Sequence, residues 1–167
     1  DQAFRFKTRR PRGGFVENIY VERVRANVKR QALYCDMLGS ARWVGELAQR
    51  YPAREITPLT PWFANISIHD VEITGCSTLV DVSALPEKPV KNFFFGNVKA
   101  HCDRIGKICD ATKFSMKDVR IESCDTVMRI DNCDYASFFG FSNVTTGSSV
   151  KIEKTGGECR YLNVQTY

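Results

Sequence analysis

The amino-acid sequence predicts an all-β protein in which successive returns of the chain stack as a parallel β-helix. The first observation is a short phrase that occurs six times, in which alternating apolar residues lead to Asn, Asp or Arg followed by Val. The repeat valines are Val24, Val71, Val98, Val119, Val144 and Val164. The last four steps are 27, 21, 25 and 20 residues. Such a period is typical of a solenoid, whose core is built only when repeats stack.

The apolar residues of each phrase recur at every second position, which is the second observation. Ile66 and Ile68 show it, as do Phe93 and Phe95, and Phe139 and Phe141 repeat the pattern. A period of two is typical of strands, whereas an amphipathic helix, the competing interpretation, needs a period of 3.6. The step from Val24 to Val71 is 47 residues, so it is either two coils or one coil with a long loop.

Apolar residues at constant offsets from the repeat valines predict two interior columns, which is the third observation. Eleven residues beyond the valine stand Cys35, Val82, Cys109 and Ile130. Four or five residues beyond it stand Cys76, Cys102 and Cys124, which predicts a second column at a turn. Free cysteine behaves as a small buried hydrophobe, so both columns suit a narrow interior.

Length and composition favour a single domain over residues 1–167, with 43% apolar residues for its core. Residues 36–62 form the one long irregular stretch and carry Trp43, Tyr51 and Trp62. Three prolines in this stretch indicate an ordered loop. Its aromatic rings could stack on sugars or attach the loop to the strands, and Trp62, beside Phe63, favours attachment.

The cysteines and histidines predict neither a metal site nor a cofactor. Seven cysteines cannot all pair, and the chain has no CxxC spacing, so a complete disulfide framework is excluded and zinc is disfavoured. His69 and His101 are expected to face solvent without partners. No apolar stretch approaches the roughly 18 residues of a membrane span, and no signal peptide opens the chain, so we expect no membrane partner.

Charge is concentrated at one end of the chain. Residues 1–54 hold 12 Lys and Arg against 5 Asp and Glu, whereas residues 55–167 hold 12 against 14. Alternation places Arg5, Lys7 and Arg9 on one face of an extended strand, with Phe4 and Phe6 on the other. Such a row suits a carboxylate-bearing polymer, because Arg binds carboxylates bidentately and Lys adds a point charge.

Two other interpretations of this charge were considered. The row is also compatible with a merely solvated basic face. Nucleic acid is not expected as a partner, because no basic stripe continues past residue 54 and no known binding motif is present.

Three blocks carry a resemblance to a known family: RFKTRRPRGGFVENIYVERV, TPWFANISIHDV and LPEKPVKNFFFGNV. Together they resemble the C-terminal half of glycoside hydrolase family 28, the polygalacturonase family, in its bacterial branch. The resemblance implies a right-handed parallel β-helix of the pectin-lyase-like type, of which this chain would hold the C-terminal coils only. It also implies inverting hydrolysis of pectic cell-wall polysaccharide by separated carboxyl groups.

The resemblance assigns substrate binding to four cations. Arg5 and Lys7 match the family's Arg-Ile-Lys motif, whose cations bind the uronate carboxylate, and Phe6 replaces the middle residue and is expected to point into the core. Arg9 continues the row. Arg30 stands where a family Tyr approaches the sugar, and Tyr34 is expected to pack inward.

The turn after this strand matches the family in part. Gly13 and Gly14 match its turn glycines, where positive φ or a close approach excludes a side chain. Pro11 stands where Gly is usual.

The family's catalytic aspartates and its His-Gly segment lie upstream of the motif, so this chain is expected to hold no catalytic residue and to be inactive by itself. Asp103, Asp125, Asp131 and Asp134 are interpreted as turn residues that accept local backbone N–H groups.

Three hypotheses follow: the C-terminal section of a pectin-degrading hydrolase, a non-catalytic β-helix that binds acidic polysaccharide, or a structural solenoid. The expected partners are acidic polysaccharide and, at the open first coil, either the missing N-terminal half or a second copy. The resemblance implies a secreted or periplasmic protein.

Overall fold

The structure, a computed structural model, describes residues 1–165 and confirms an all-β protein. Strands account for 63% of the residues and helices for 5%, and the strands form a mainly parallel sheet that does not close into a barrel. The strands are β1 (Phe4–Lys7), β2 (Phe15–Asn27), β3 (Gln31–Asp36), β4 (Trp62–Ser83), β5 (Val90–Glu122), β6 (Val127–Asp134), β7 (Ser137–Asn143), β8 (Ser148–Ser149), β9 (Lys151–Lys154) and β10 (Asn163–Gln165). Only the β7–β8 pairing is antiparallel among those described. A helical turn α1 (Ala41–Val44) and a 3-10 turn (Gly45–Ala48) interrupt the long loop.

The long strands bend back alongside themselves. Strand β5 has 33 residues, which would reach roughly 110 Å if straight. Within it, the rings of Phe93 and Phe114 nevertheless stack with centroids 5.0 Å apart. Strand β4 likewise pairs with β2 and β3 and, on its other side, with β5. The chain therefore returns to its own path after about one repeat.

The register confirms the first predicted repeats. Val24 lies opposite Val71, and Val71 lies opposite Val98. Because the first two valines are direct partners, the step of 47 residues is one return with a long loop. The loop occupies residues 37–61, between β3 and β4.

The last two predicted repeats are wrong in register. Val119 lies opposite Phe141 rather than Val144, and Val164 lies opposite Phe138. Val144 follows the end of β7 and is exposed. A second Asn-Val pair at the end of the strand therefore imitates the repeat phrase at a position that does not pair.

Two columns of residues with left-handed backbone explain why the phrase recurs. Each return bends twice, at residues with φ between 46° and 60°. The first bend falls at Asn18, Asn65, Asn92, Lys113, Tyr135 and Tyr161, and the second falls at Arg23, Asp70, Asn97, Asp118 and Gly140. Asn, Asp and Gly tolerate this conformation best, so the phrase places them at the bends.

The side chains at the first bend bond to one another along the stack. The Asn65 amide donates to the Asn18 Oδ1 at 3.3 Å, and the Asn92 amide donates to the Asn65 Oδ1 at 2.8 Å. This asparagine ladder ties three successive returns together at the same corner.

The inward columns are correct in kind but wrong at two cysteines. Cys35 lies opposite Val82, Val82 opposite Ile108, and Ile108 opposite Ile130. Cys109 instead pairs with Ser83, because a bulge after Ile73 shortens the offset from 27 to 26 residues.

The turn column is also wrong at its third member. Cys76 lies opposite Cys102 as expected. Ser123, whose hydroxyl donates to the Asp103 carbonyl, takes the next buried place, and Cys124 is exposed. All seven cysteines, which lie within the described residues, are free thiols.

Arg50 attaches the long loop to the stack. Its Nε and Nη2 donate to both carboxylate oxygens of Asp110 at 2.6 and 2.8 Å, and Nη2 also donates to Asp131 at 2.9 Å. Asp110 is fully buried and also accepts from the Asn132 amide at 2.6 Å. The bond from Arg50 holds the pKa of Asp131 below its usual range.

Arg10 makes the second attachment. It is 4% exposed, forms a bidentate pair with Glu87 and donates to the carbonyls of Leu47 and Gln49. Burial alone would raise the pKa of Glu87, but the Arg10 guanidinium outweighs it and the pKa is lowered. Arginine pairs therefore hold the loop, whereas Trp43 and Tyr51 are exposed.

Trp62 opens β4 half-buried, with the Lys88 ammonium 5.7 Å from its ring. Among the described residues, no helix is long and apolar enough to cross a membrane.

We predict that Asp110→Ala lowers the free energy of unfolding by about 3–5 kcal/mol, because it leaves the buried guanidinium of Arg50 short of one partner. Chemical denaturation measures this loss. Glu55→Ala, an exposed acid of the same loop, is the matched control and should change stability by less than about 0.5 kcal/mol. A loss below 1 kcal/mol for Asp110→Ala would contradict the attachment.

A second prediction concerns the asparagine ladder. Asn65→Ala should be less stable than Asn65→Gly by about 1 kcal/mol, because both lose the ladder bonds but only alanine strains a left-handed bend. Urea denaturation of the two variants compares them directly. Equal stability would show that the bend is not strained.

Candidate functional site

Strand β1 presents its cations outward and its aromatic rings inward. Phe4 is buried, and Phe6 packs against Phe63 and Phe93 with ring centroids 6.1 Å away. The alternation then turns Arg5 and Lys7 to the outer face of the sheet. The expectation that Phe6 points into the core is confirmed.

The outer face carries a small depression, which we call the β1 depression. It has a volume of about 250 Å³ and is lined by Arg5, Lys7, Thr8, Arg9 and Arg12. Arg9 lies beyond the end of β1, so it reaches the depression from the turn rather than from the strand. Arg12 was missed by the sequence analysis, because alternation along one strand says nothing about the turn that follows.

The cations of the β1 depression are nearly free of protein counter-charges. Within residues 1–165, Lys7 makes the single ion pair among them, at 4.0 Å to Asp36 and with 43% of its side chain exposed. Such a long, exposed pair contributes little energy. An incoming anion would therefore displace water rather than protein carboxylates.

The turn after β1 is shaped by glycine, as expected. Gly13 has φ of 68°, and a Cβ there would come within 3.2 Å of the Leu59 Cα and the Pro58 carbonyl oxygen. Gly14 also has positive φ, at 81°. The long loop can therefore close onto this turn only if residue 13 carries no side chain.

Tyr34 faces outward, so its expected inward packing is wrong. It lies opposite Arg5, while its neighbours Leu33 and Cys35 are fully buried. Its hydroxyl donates to the Asp36 Oδ2 at 3.2 Å. The error arose because the phase of alternation in β3 was taken without its partner strand.

The environment of Tyr34 keeps its phenol protonated. Burial and the adjacent Asp36 carboxylate raise the pKa of Tyr34 to about 12. Asp36 itself is fixed by the backbone N–H groups of Leu38 and Gly39, both 3.0 Å from its Oδ1. Tyr34 thus offers an aromatic ring beside Arg5.

Arg30 lies outside the β1 depression. Its side chain is exposed, and its backbone bonds to Asp1 and Ser77 at the start of β3. The structure therefore groups Arg5, Lys7 and Arg9 but leaves Arg30 apart.

The acids interpreted as turn residues have backbone or ion-pair partners in three of four cases. Asp125 accepts from the N–H groups of Ile105 and Val127, and Asp134 accepts from that of Arg160. Asp131 accepts from the Gly157 N–H besides pairing with Arg50. These contacts agree with the structural interpretation.

A second cationic depression, which we call the β5 depression, lies further along the stack. It has a volume of about 270 Å³, and its polar lining residues are Gln31, Thr78, Asp81, Arg104, Lys107, Asp125 and Arg129. The statement that basic character ends at residue 54 is therefore wrong in space. These cations are spaced 3 and 22 residues apart, so only the stacking of returns brings them together.

His69 has partners, contrary to expectation. It lies between Asp70, 2.9 Å from its Nδ1, and the hydroxyl of Tyr20, 2.7 Å from its Nε2. Glu22, His69 and Asp70 hold ligand atoms within 4.8 Å of one another, so they could approach a metal ion. Arg23 and Asn97 already bond to the two carboxylates. His101 is largely exposed, as expected.

Comparison of this chain with protein-family models, with curated proteins and with solved structures gives no match. The site is therefore interpreted from its own chemistry.

We predict that Tyr34 does not ionise where ordinary tyrosines do. The ultraviolet absorbance of wild type minus that of Tyr34→Phe should stay flat between about pH 9 and 11, because the folded pKa is raised above the ordinary value near 10. The same shift means that the unfolding free energy falls as pH rises above about 10. A difference titration with a midpoint near 10 would contradict the placement beside Asp36.

Proposed function

We propose that this chain binds an acidic, uronate-containing polysaccharide through the β1 depression. The observation that supports it most directly is a set of three arginines and one lysine gathered on one outer surface with almost no protein counter-charge. The rigid core beneath β1 holds two of these cations in fixed positions, which reduces the ordering cost of binding.

The donor set fits a carboxylate better than a phosphodiester chain. Arg5 can donate two parallel N–H bonds to one carboxylate, and Lys7 adds a point charge beside it. Tyr34, next to Arg5, offers a ring face against which the apolar face of a sugar can pack. A binding site built from one charged and one aromatic contact belongs to a sugar acid.

The proposal includes the finer architecture, a right-handed parallel β-helix of the pectin-lyase-like type. Parallel pairing between segments 20 to 47 residues apart supports it, as do strands that bend back beside themselves. In such a fold the outer face of one long sheet forms an extended groove.

We further propose that the chain is the C-terminal section of a polygalacturonase-like glycoside hydrolase. Inverting hydrolysis needs an acid carboxyl and a base carboxylate about 6.5–9.5 Å apart. Asp36 is the acid nearest to the β1 depression, and backbone N–H groups and Tyr34 occupy it. The chain therefore contributes substrate binding, while the reacting carboxyl groups belong to another part of the enzyme. Since pectin is a cell-wall polymer, the proposal implies a secreted or periplasmic protein.

The test is an NMR titration with trigalacturonate. We expect weak binding, with a dissociation constant no better than about 1 mM, or roughly −4 kcal/mol. Arg5→Ala with Lys7→Ala should weaken it at least fivefold, and added salt should weaken it too, since exposed charges are screened.

The matched control is Lys99→Ala with Arg120→Ala, which removes the same two charge types from other exposed surfaces. This control should bind as wild type does. Equal weakening in both double variants would mean that net charge alone is responsible. No chemical-shift change in the β1 amides of wild type would overturn the proposed function.

A further inference from the structure

The β5 depression lies on the same outer column of the sheet as the β1 depression. Arg5 lies opposite Tyr34, Tyr34 opposite Asp81, Asp81 opposite Lys107, and Lys107 opposite Arg129. Neighbouring strands are about 4.8 Å apart, so Arg5 and Lys107 are separated by about 14 Å. One straight column of side chains therefore runs from one cationic depression to the other.

The cations of the β5 depression are available to a ligand. In the described part of the chain, Arg104 and Lys107 make no ion pair, and Arg129 reaches Glu153 only at 3.9 Å with both side chains about half exposed. The situation repeats that of the β1 depression: positive charge is gathered on the surface without being neutralised.

A glycine keeps the floor of this depression open. Gly106 has φ of 103°, and a Cβ there would fall 1.9 Å from the Val80 carbonyl oxygen and 2.8 Å from the Thr78 side chain. Any other residue would clash with the neighbouring strand at this point. The backbone is thereby exposed between Arg104 and Lys107.

The two acids of the depression differ in what they can still accept. Both carboxylate oxygens of Asp125 are occupied by backbone N–H groups. Asp81 accepts only a long bond of 3.5 Å from the Gln31 amide. Asp81 can therefore accept hydroxyl donors from a ligand, whereas a ligand made of anionic groups alone would be repelled by it.

We propose that the β5 depression is a second subsite for a uronate unit, engaged by the same polysaccharide chain that occupies the β1 depression. Arg104 and Lys107 bind its carboxylate, and Asp81 accepts its hydroxyl groups. Tyr34 lies between the two depressions and supports the sugars that connect them. This inference rests on the proposed function, and it adds a minimum ligand length to it.

Ligand length provides the test. An oligomer long enough to cover both depressions gains affinity through effective concentration, whereas a short one occupies one depression at a time. We expect octagalacturonate to bind wild type at least about tenfold more tightly than trigalacturonate. The octamer should also shift the amides of Gly106 and Lys107 at concentrations where the trimer shifts only those of β1.

The variant pair is Arg104→Ala with Lys107→Ala, again compared with Lys99→Ala with Arg120→Ala. Since Arg104 is exposed and Lys107 half-buried at the surface, circular dichroism should show both double variants folded. The first should lose the advantage of the octamer while keeping wild-type affinity for the trimer, and the second should keep both.

The outcomes separate this inference from the proposed function. If wild type binds the two oligomers equally and Arg5 with Lys7 still controls binding, the second subsite is wrong and the proposed function stands. If neither oligomer binds, both are wrong. If Arg104→Ala with Lys107→Ala retains the octamer advantage, the second subsite is likewise overturned.

Discussion

The whole architecture depends on two left-handed bends that recur at the same two places in successive returns of the chain. A bend at positive φ is unfavourable for most residues, and it is repeated here at eleven positions, of which only one is glycine. Backbone hydrogen bonding to the neighbouring strand and, at the first corner, amide bonds between Asn18, Asn65 and Asn92 offset that strain. If a bend moved by one residue, every side chain after it would change faces, because strands alternate with a period of two.

The same constraint determines where function can reside. With the inner face filled by Phe, Ile, Val and Cys, every charged residue of a strand must appear on the outer face or in a turn. Columns of like position then place residues from distant parts of the sequence side by side at strand spacing. Arg5 and Lys107 are 102 residues apart in the sequence yet belong to one column. A linear ligand running along the stack meets such a column at regular intervals.

Much of this fold could be predicted from the sequence, because period-two alternation and a recurring Asn-Val phrase are local signals. The pairings of Val24, Val71 and Val98 follow directly from them. The errors have identifiable physical causes: a bulge after Ile73 displaced Cys109, and a terminal Asn-Val pair imitated a bend at Val144. Neither is visible until two strands are set against each other.

The candidate site was harder to predict than the fold. Arg5, Lys7 and Arg9 were found because they are neighbours in sequence, and Phe6 identified the outer face. Tyr34 was assigned to the wrong face, since a strand of six residues with small and aromatic residues at mixed positions has no clear phase by itself. The β5 depression was missed entirely, because Arg104, Lys107 and Arg129 carry no local pattern and meet only through stacking.

Arg50 has an effect on how the molecule comes apart. Proteins built as linear arrays contact only their nearest neighbours, so they can fray from one end while the rest remains folded. Here a side chain from the loop between β3 and β4 bonds to Asp110 in β5 and Asp131 in β6, 60 and 81 residues further along. This bridge links early and late segments that would otherwise open independently. Loss of the late returns would expose the buried end of Arg50, so terminal fraying and loop release become a single event, and the array behaves as one cooperative unit.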